Sequence, residues 1–201
     1  MRPLNRAEWG VVAFNLGYLG VFALHFADRG NREFLWYILT MGVLMTLVGW
    51  LSRRAQLPLG LLWALSLWGL AHMAGGGLAV GDGVLYGVVV VPLVVDGDFT
   101  LLRFDQVVHA YGFGVTAWLI WQLATGTVPQ LRGTRTVYTL AALASMGLGA
   151  ANEIVEFAAV VALPETGVGG YYNTALDLVF NAVGATVAVL AIAAVERGWA
   201  R

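Results

Sequence analysis

Residues 104–125 read FDQVVHAYGFGVTAWLIWQLAT, and this stretch decides the fold class. It is long enough for a helix that crosses the hydrocarbon core of a membrane, which takes about 20 predominantly apolar residues. Its first two turns nevertheless carry Asp105 and His109. Ionisable groups are costly in hydrocarbon, and their default interpretation is a functional site. The stretch therefore predicts a transmembrane helix with a polar site inside it.

The composition of the whole chain also indicates a membrane protein. Of its 201 residues, 59% are hydrophobic and only 11% are charged, whereas a soluble domain carries roughly 25% charged residues. Cysteine is absent, which excludes disulfides and Cys-ligated metal sites. The net charge of −1 gives no sign of nucleic-acid binding. Membrane lipids are the expected partners.

Six windows are long and apolar enough to cross a membrane. They cover residues 9–26, 34–51, 61–79, 107–125, 137–163 and 175–195. A seventh apolar run, residues 85–95, is too short to cross, and it ends at Asp96 and Gly97, a hairpin-type turn signal. Residues 85–102 are therefore predicted to form a short extended hairpin or flap between helices three and four. We predict a single all-α, polytopic membrane domain over residues 1–201, with about six transmembrane helices.

The placement of arginine predicts the orientation. All 11 basic residues are Arg, which favours a GC-rich prokaryotic genome. With the N-terminus inside, the inner segments hold Arg2, Arg6, Arg53, Arg54, Arg132, Arg135, Arg197 and Arg201, and the outer loops hold Arg29, Arg32 and Arg103. Cytoplasmic loops carry an excess of positive charge. Both termini are therefore predicted to lie on the cytoplasmic side of a prokaryotic inner membrane.

Polar and small residues recur on one face of each of the last three helices. At a rise of about 1.5 Å per residue, the ionisable ones all fall in the outer half of the membrane. The faces comprise Asp105, His109, Gly112 and Thr116; Ser145, Gly149, Asn152 and Glu156, with Glu153 on the shoulder; and Thr174, Asp177, Asn181 and Gly184. Small residues let helices approach closely. Helices four to six are therefore predicted to pack with these faces inward, with His72 contributed by the third helix.

These residues define one candidate site. The candidate catalytic residues are Glu153, Glu156, His109 and Asp105, and the candidate binding residues are His72, Asn152, Asp177 and Asn181. Two acids one turn apart in an apolar helix, Glu153 and Glu156, repel each other unless something shares them. Asp105 and His109 have the i, i+4 spacing of metal ligands, and Glu153 could complete a divalent-metal centre for hydrolysis.

Several of these residues also have a purely structural interpretation. The segment from Thr174 to Asp177 has the pattern of a capping box, in which Asp177 would favour the dipole of the sixth helix. Asp105 could likewise cap the fourth helix. Three residues could serve only as interhelical hydrogen-bonding groups: His72, Asn152 and Asn181.

Three ordered segments carry a resemblance to a known family. They are FDQVVH at 104–109, NEIVE at 152–156 and NTALD at 173–177, the last followed by Asn181 and Gly184. Together with AHMAGG at 71–76, they resemble the VanZ-like superfamily, and within it the YjdF-type bacterial inner-membrane proteins, over roughly residues 70–190. The chain departs from the family pattern at Gln106, where a basic residue is common, and at Asn173, where the family has an acid.

The resemblance implies a multi-helix membrane protein without an agreed activity. Some VanZ-type relatives are associated with altered susceptibility to glycopeptide antibiotics, which suggests envelope lipids or cell-wall precursors as ligands. The main hypothesis is thus an outer-leaflet site that binds or acts on envelope lipids or lipid-linked precursors. The alternatives are a small proton-coupled transporter and a structural or accessory membrane protein. The residues leave open whether the protein is an enzyme.

Overall fold

Six long helices make up most of the chain, and a computed structural model describes residues 3–30, 32–97, 99–163 and 169–199. The helices are α1 (Arg6–Asp28), α2 (Arg32–Ala55), α3 (Leu59–Gly77), α4 (Phe104–Thr127), α5 (Arg135–Ala162) and α6 (Tyr171–Trp199). The end of the bundle at which α1 begins and α6 finishes is called here the termini end. The opposite end is called the hairpin end.

Five of the six helices (α1, α3, α4, α5 and α6) are long and apolar enough to cross a membrane. This count of five covers the described residues. The side chains at positions 32–35, at the start of α2, lie outside the described part of the chain. The outer surface of the bundle is strongly apolar, with Leu24 and Val161 exposed by 74% and 71%. Such a surface suits contact with lipid. The predicted all-α membrane fold is confirmed.

The segment between α3 and α4 forms two short antiparallel strand pairs. β1 (Ala79–Val80) pairs with β2 (Gly83–Val84), and β3 (Val89–Asp96) pairs with β4 (Phe99–Arg103). The β3–β4 turn includes Gly97 at φ +55°, a conformation that glycine adopts readily because it has no Cβ. The predicted hairpin is confirmed, but it begins at Val89 because Leu85–Gly87 form a 3₁₀ turn.

Helices α4, α5 and α6 pack closely at small residues. A Cβ added to Gly184 would overlap the backbone carbonyl of Ala110, so α4 and α6 meet backbone to backbone. A Cβ on Gly149 would lie 2.6 Å from Nδ2 of Asn181. These close approaches bring the polar faces of the three helices within reach of one another.

An apolar core lies between these helices on the side toward the termini end. It contains Ala117, Trp121, Val137, Ala141, Ala185 and Val189. The ionisable residues of the predicted site on α4, α5 and α6 therefore lie between this apolar layer and the hairpin end.

Candidate functional site

The junction between β4 and α4 fixes where the fourth helix enters the site. Gln106 is buried, and its Oε1 accepts hydrogen bonds from the backbone N–H groups of Leu102 and Arg103, at 2.5 and 3.2 Å. Its Nε2 donates to the carbonyl of Thr100 at 2.9 Å. Leu102 has φ +66°, a region that non-glycine residues rarely adopt. The side chain of Gln106 therefore links β4 to α4 by hydrogen bonds at Leu102, where the backbone is strained.

His109 lies at the centre of the ionisable residues and is 5% exposed. Its Nδ1 is 3.0 Å from Oδ1 of Asn181. Its Nε2 is 3.7 Å from Oδ1 of Asp105 and 4.0 Å from Oδ1 of Asp177. Because an amide oxygen can only accept, Nδ1 donates to Asn181, and Nε2 is the ring nitrogen that faces the two carboxylates.

The side-chain amide of Asn173 hydrogen-bonds to the remaining oxygens of Asp105 and Asp177. Nδ2 of Asn173 donates to Oδ2 of Asp105 at 3.4 Å and also to Oδ2 of Asp177. Oδ1 of Asp177 is buried and has no hydrogen-bond partner in the described part of the chain. Sequence reasoning did not predict Asn173 as a site residue. Its sequence signals were its place at the start of the NTALD segment, where the resembled family has an acid, and its position one turn before Asp177.

The capping interpretation of Asp177 is wrong. α6 begins at Tyr171, upstream of Thr174, so Asp177 lies in the second turn of the helix and not in the first. Its side chain is 1% exposed and faces His109. Asp105, in contrast, does lie in the first turn of α4, where an acid also favours the helix dipole.

Glu153 reaches His109 from α5. Its Oε1 lies 3.8 Å from Nδ1 of His109, and both carboxylate oxygens are buried without a hydrogen-bond partner among the residues that the structure describes. Glu156 is half-buried, and its Oε1 accepts from Nδ2 of Asn152 at 2.9 Å. The sequence analysis predicted Glu156 on the inward-facing side of the fifth helix and Glu153 at the edge of that side. The structure reverses this order, since the buried line of α5 continues from Gly149 to Glu153.

His72 lies apart from this group, against a tyrosine that the sequence did not single out. Its Nδ1 is 2.5 Å from the hydroxyl oxygen of Tyr86, and this hydroxyl donates to the backbone carbonyl of His72 at 3.0 Å. The ring of Tyr37 packs edge-on against the imidazole at 5.9 Å. Burial raises the pKa of the Tyr86 hydroxyl well above its usual value, so this hydroxyl stays protonated. A lone loop tyrosine carries no sequence signal for this role.

The central cluster contains more acceptors than donors. Asp105, His109 and Asp177 each present one ligand atom within 4.8 Å of the others, and His109, Glu153 and Glu156 form a second such group. The 3.7 and 4.0 Å distances from Nε2 to the carboxylates exceed the 2.7–3.2 Å that is usual for a hydrogen bond. Two ligands of one cation, each about 2.1 Å from it, lie about 3.0–4.2 Å apart. The two distances from Nε2 therefore lie within the range for ligands that share one divalent cation.

The neighbours of this first group also match the supporting groups of metal sites. A metal-bound histidine usually donates its other ring N–H to an oxygen, and ligating carboxylates are themselves hydrogen-bonded. Asn181 supplies that oxygen to His109, and Asn173 supplies the donor to both aspartates. Asp177 is the third member of this group, whereas Glu153, the third ligand predicted from the sequence, belongs with His109 and Glu156 to the second group. Glu153 faces the ring nitrogen that carries the proton.

Comparison with known proteins extends over almost the whole chain. A family model described as a predicted membrane protein, DUF2238, matches residues 10–198. No curated protein and no solved structure gives a significant match. The matched region contains every residue of the cluster.

Proposed function

Because the chain belongs to DUF2238, a family of predicted membrane proteins, we propose that it binds the headgroup of an envelope lipid or lipid-linked precursor through a divalent cation. The cation would be held by Asp105, His109 and Asp177. One observation carries this proposal: Nε2 of His109 and one oxygen each of Asp105 and Asp177 converge in a largely buried site. A single cation would satisfy all three acceptors, and oxygen and imidazole ligands suit such ions.

The location of the cluster favours a lipid ligand. The cluster lies in the membrane-spanning part of the bundle, near the end that the arginine distribution predicts to be outside. An oxygen-ligated divalent cation retains affinity for phosphate oxygens, which phospholipids and lipid-linked precursors share. The resemblance to VanZ-like and YjdF-type proteins supports the same ligand class, because some VanZ-type relatives are associated with altered glycopeptide susceptibility.

Glu153 would be a proton acceptor on the Nδ1 side of His109, across the imidazole ring from the bound cation. Both of its oxygens lack a hydrogen-bond partner within the described ranges, and Oε1 is 3.8 Å from His109. A carboxylate in this position could accept a proton from metal-bound water through one intervening water molecule. Hydrolysis of the bound headgroup is therefore a variant of the proposal, with Glu153 as the base and Glu156 next to it.

The proton-coupled carrier gains less support from the geometry. Such a carrier needs a polar path from the cluster to the termini end. The layer between α4, α5 and α6 is the apolar core around Trp121 and Val189, and the groove between α1, α2 and α3 that reaches the termini end has a mostly apolar lining. The accessory-protein alternative predicts that Glu153→Gln and Asp177→Asn leave metal content and envelope phenotypes unchanged.

Metal analysis of the purified full-length protein tests the proposal. We expect about one zinc, manganese or magnesium ion per chain, and loss of that ion in Asp177→Asn. Asp82→Asn is the matched control, because Asp82 lies in the exposed turn between β1 and β2. Wild-type protein without a stoichiometric divalent ion, or equal metal content in the two variants, would contradict the proposal.

A further inference from the structure

A groove between α1, α2 and α3 runs along the bundle beside the cluster, and we infer that it holds one hydrocarbon chain of the bound lipid. The inference rests on the proposed function for the identity of the headgroup. The groove has a volume of about 560 Å³, within the range of about 300–1,000 Å³ that is usual for ligand sites.

The lining of the groove is mostly apolar and comes from all three helices. Its apolar members include Val11, Met41, Leu44, Met45, Leu65 and Trp68. Methionine side chains are flexible and polarisable, so they adapt to an irregular or mobile partner. This lining suits a hydrocarbon chain better than it suits an ion.

The polar side chains midway along the groove are already hydrogen-bonded to one another. The hydroxyl of Tyr18 donates to Oδ1 of Asn15 at 3.0 Å. Nδ2 of Asn15 donates to Oγ of Ser66 at 2.6 Å and to the carbonyl of Val11 at 2.7 Å, and Ser66 donates to the carbonyl of Leu62 at 2.8 Å. These groups cannot replace the hydration shell of an ion without breaking those bonds. An occupant without hydrogen-bonding groups therefore fits.

The groove meets the candidate site at the hairpin end. His72 and Asn152 line this end, and Asn152 donates to Glu156 of the second carboxylate group around His109. A lipid whose headgroup lies at the cluster can therefore direct one chain into the groove without crossing the apolar core. This continuity favours a lipid that enters from the leaflet at the hairpin end.

The other end of the groove sets the length of the chain that fits. Glu8, Ser52 and Arg53 line the groove at the termini end, where its apolar part finishes. Between Leu62 and His72, α3 rises about 15 Å at about 1.5 Å per residue. The groove is thus long enough for a large part of one acyl or prenyl chain.

Gly49 of α2 offers a way to fill the groove. It lines the groove, and a Cβ built on it meets nothing within 4 Å among the described atoms. Gly42 of the same helix has the same free space but does not line the groove. Gly49→Phe and Gly42→Phe are therefore a matched pair, and Gly49→Leu is a smaller filling variant in case phenylalanine prevents folding.

A photoactivatable lipid tests the inference. The full-length protein is reconstituted in phosphatidylglycerol vesicles that contain phosphatidylglycerol with a diazirine midway along one acyl chain, and labelled peptides are mapped. We expect labels at Met41, Met45 and Leu65 in the wild type and in Gly42→Phe. Labelling there should fall about tenfold or more in Gly49→Phe, which corresponds to a loss of at least about 1.4 kcal/mol in the free energy of chain binding.

Equal labelling of the groove in the two variants would overturn the inference, as would labels confined to the outward-facing Leu39, Val43 and Leu47. Addition of EDTA separates this inference from the proposed function. If Gly49→Phe abolishes labelling but EDTA does not reduce it, the groove binds a chain and the metal-held headgroup is wrong. If EDTA also lowers wild-type labelling, both proposals are supported.

Discussion

Asn181→Leu is the substitution that best separates a metal-supporting role from a structural one. The side chain is 1% exposed, and its Oδ1 accepts from Nδ1 of His109 at 3.0 Å. Its Nδ2, however, is buried without a partner among the described residues. Leucine keeps the branch at Cγ but has no donor or acceptor, so it removes the hydrogen bond to His109 and the unpaired donor together.

Two effects with different magnitudes follow. Loss of a group that orients a metal ligand usually lowers metal affinity about 10–100-fold, or about 1.4–2.7 kcal/mol. Loss of the hydrogen bond should lower the free energy of unfolding by about 0.5–1.5 kcal/mol, and removal of the unpaired buried donor should raise it by about 1–3 kcal/mol. Because these two effects on stability have opposite signs, Asn181→Leu should weaken metal binding strongly and change the free energy of unfolding by at most about 2.5 kcal/mol.

Calorimetric titration of chelator-treated protein with Zn²⁺, together with thermal unfolding in detergent, measures both effects. Asn15→Leu is the matched control, because Asn15 makes its interhelical hydrogen bond to Ser66, away from the cluster. That control should lower stability by about 0.6–1.7 kcal/mol and leave Zn²⁺ affinity unchanged. Lower stability with unaltered Zn²⁺ affinity in Asn181→Leu would refute the reasoning.

Three further predictions concern the cluster and its packing. Glu153→Gln should change metal affinity by less than about tenfold in the same titration, because Glu153 faces Nδ1 of His109; a loss as large as that of Asp177→Asn would be contradictory. Gly184→Leu should cost at least about 1–3 kcal/mol in thermal unfolding, because its side chain would overlap the backbone of α4, whereas Gly147→Leu, with free space around the added Cβ among the described atoms, should not. EDTA should lower the thermal midpoint of the metal-loaded wild type, since saturation at about 100 Kd contributes about 2.7 kcal/mol, and it should leave the midpoint of Asp177→Asn unchanged.

Helical periodicity was sufficient to predict the fold class and the meeting of helices four to six. The windows of about 20 apolar residues follow from the thickness of the bilayer, and five of them coincide with long apolar helices. The glycines at 149 and 184 marked the close contacts, because a helix face without side chains allows backbones to approach. The hairpin was visible from its turn signal.

The detailed geometry of the cluster could not be predicted in the same way. Glu153 and Glu156 both lie near the inner face of α5, and a modest difference in helix rotation decides which one points at His109. The start of α6 was misplaced because the polar pattern from Thr174 to Asp177 fits a first turn as well as a second. The roles of Asn173 and Tyr86 depend on contacts between segments that are distant in sequence. Periodicity within one helix contains no information about them.

X-ray absorption spectroscopy of the Zn²⁺-loaded full-length protein tests the central claim most directly. If Asp105, His109 and Asp177 hold the ion, the spectrum will show one imidazole nitrogen and carboxylate oxygens at about 2.0–2.2 Å, and the imidazole contribution will disappear in His109→Gln. A bound ion with oxygen ligands alone, or an imidazole signal that persists in His109→Gln, would contradict it.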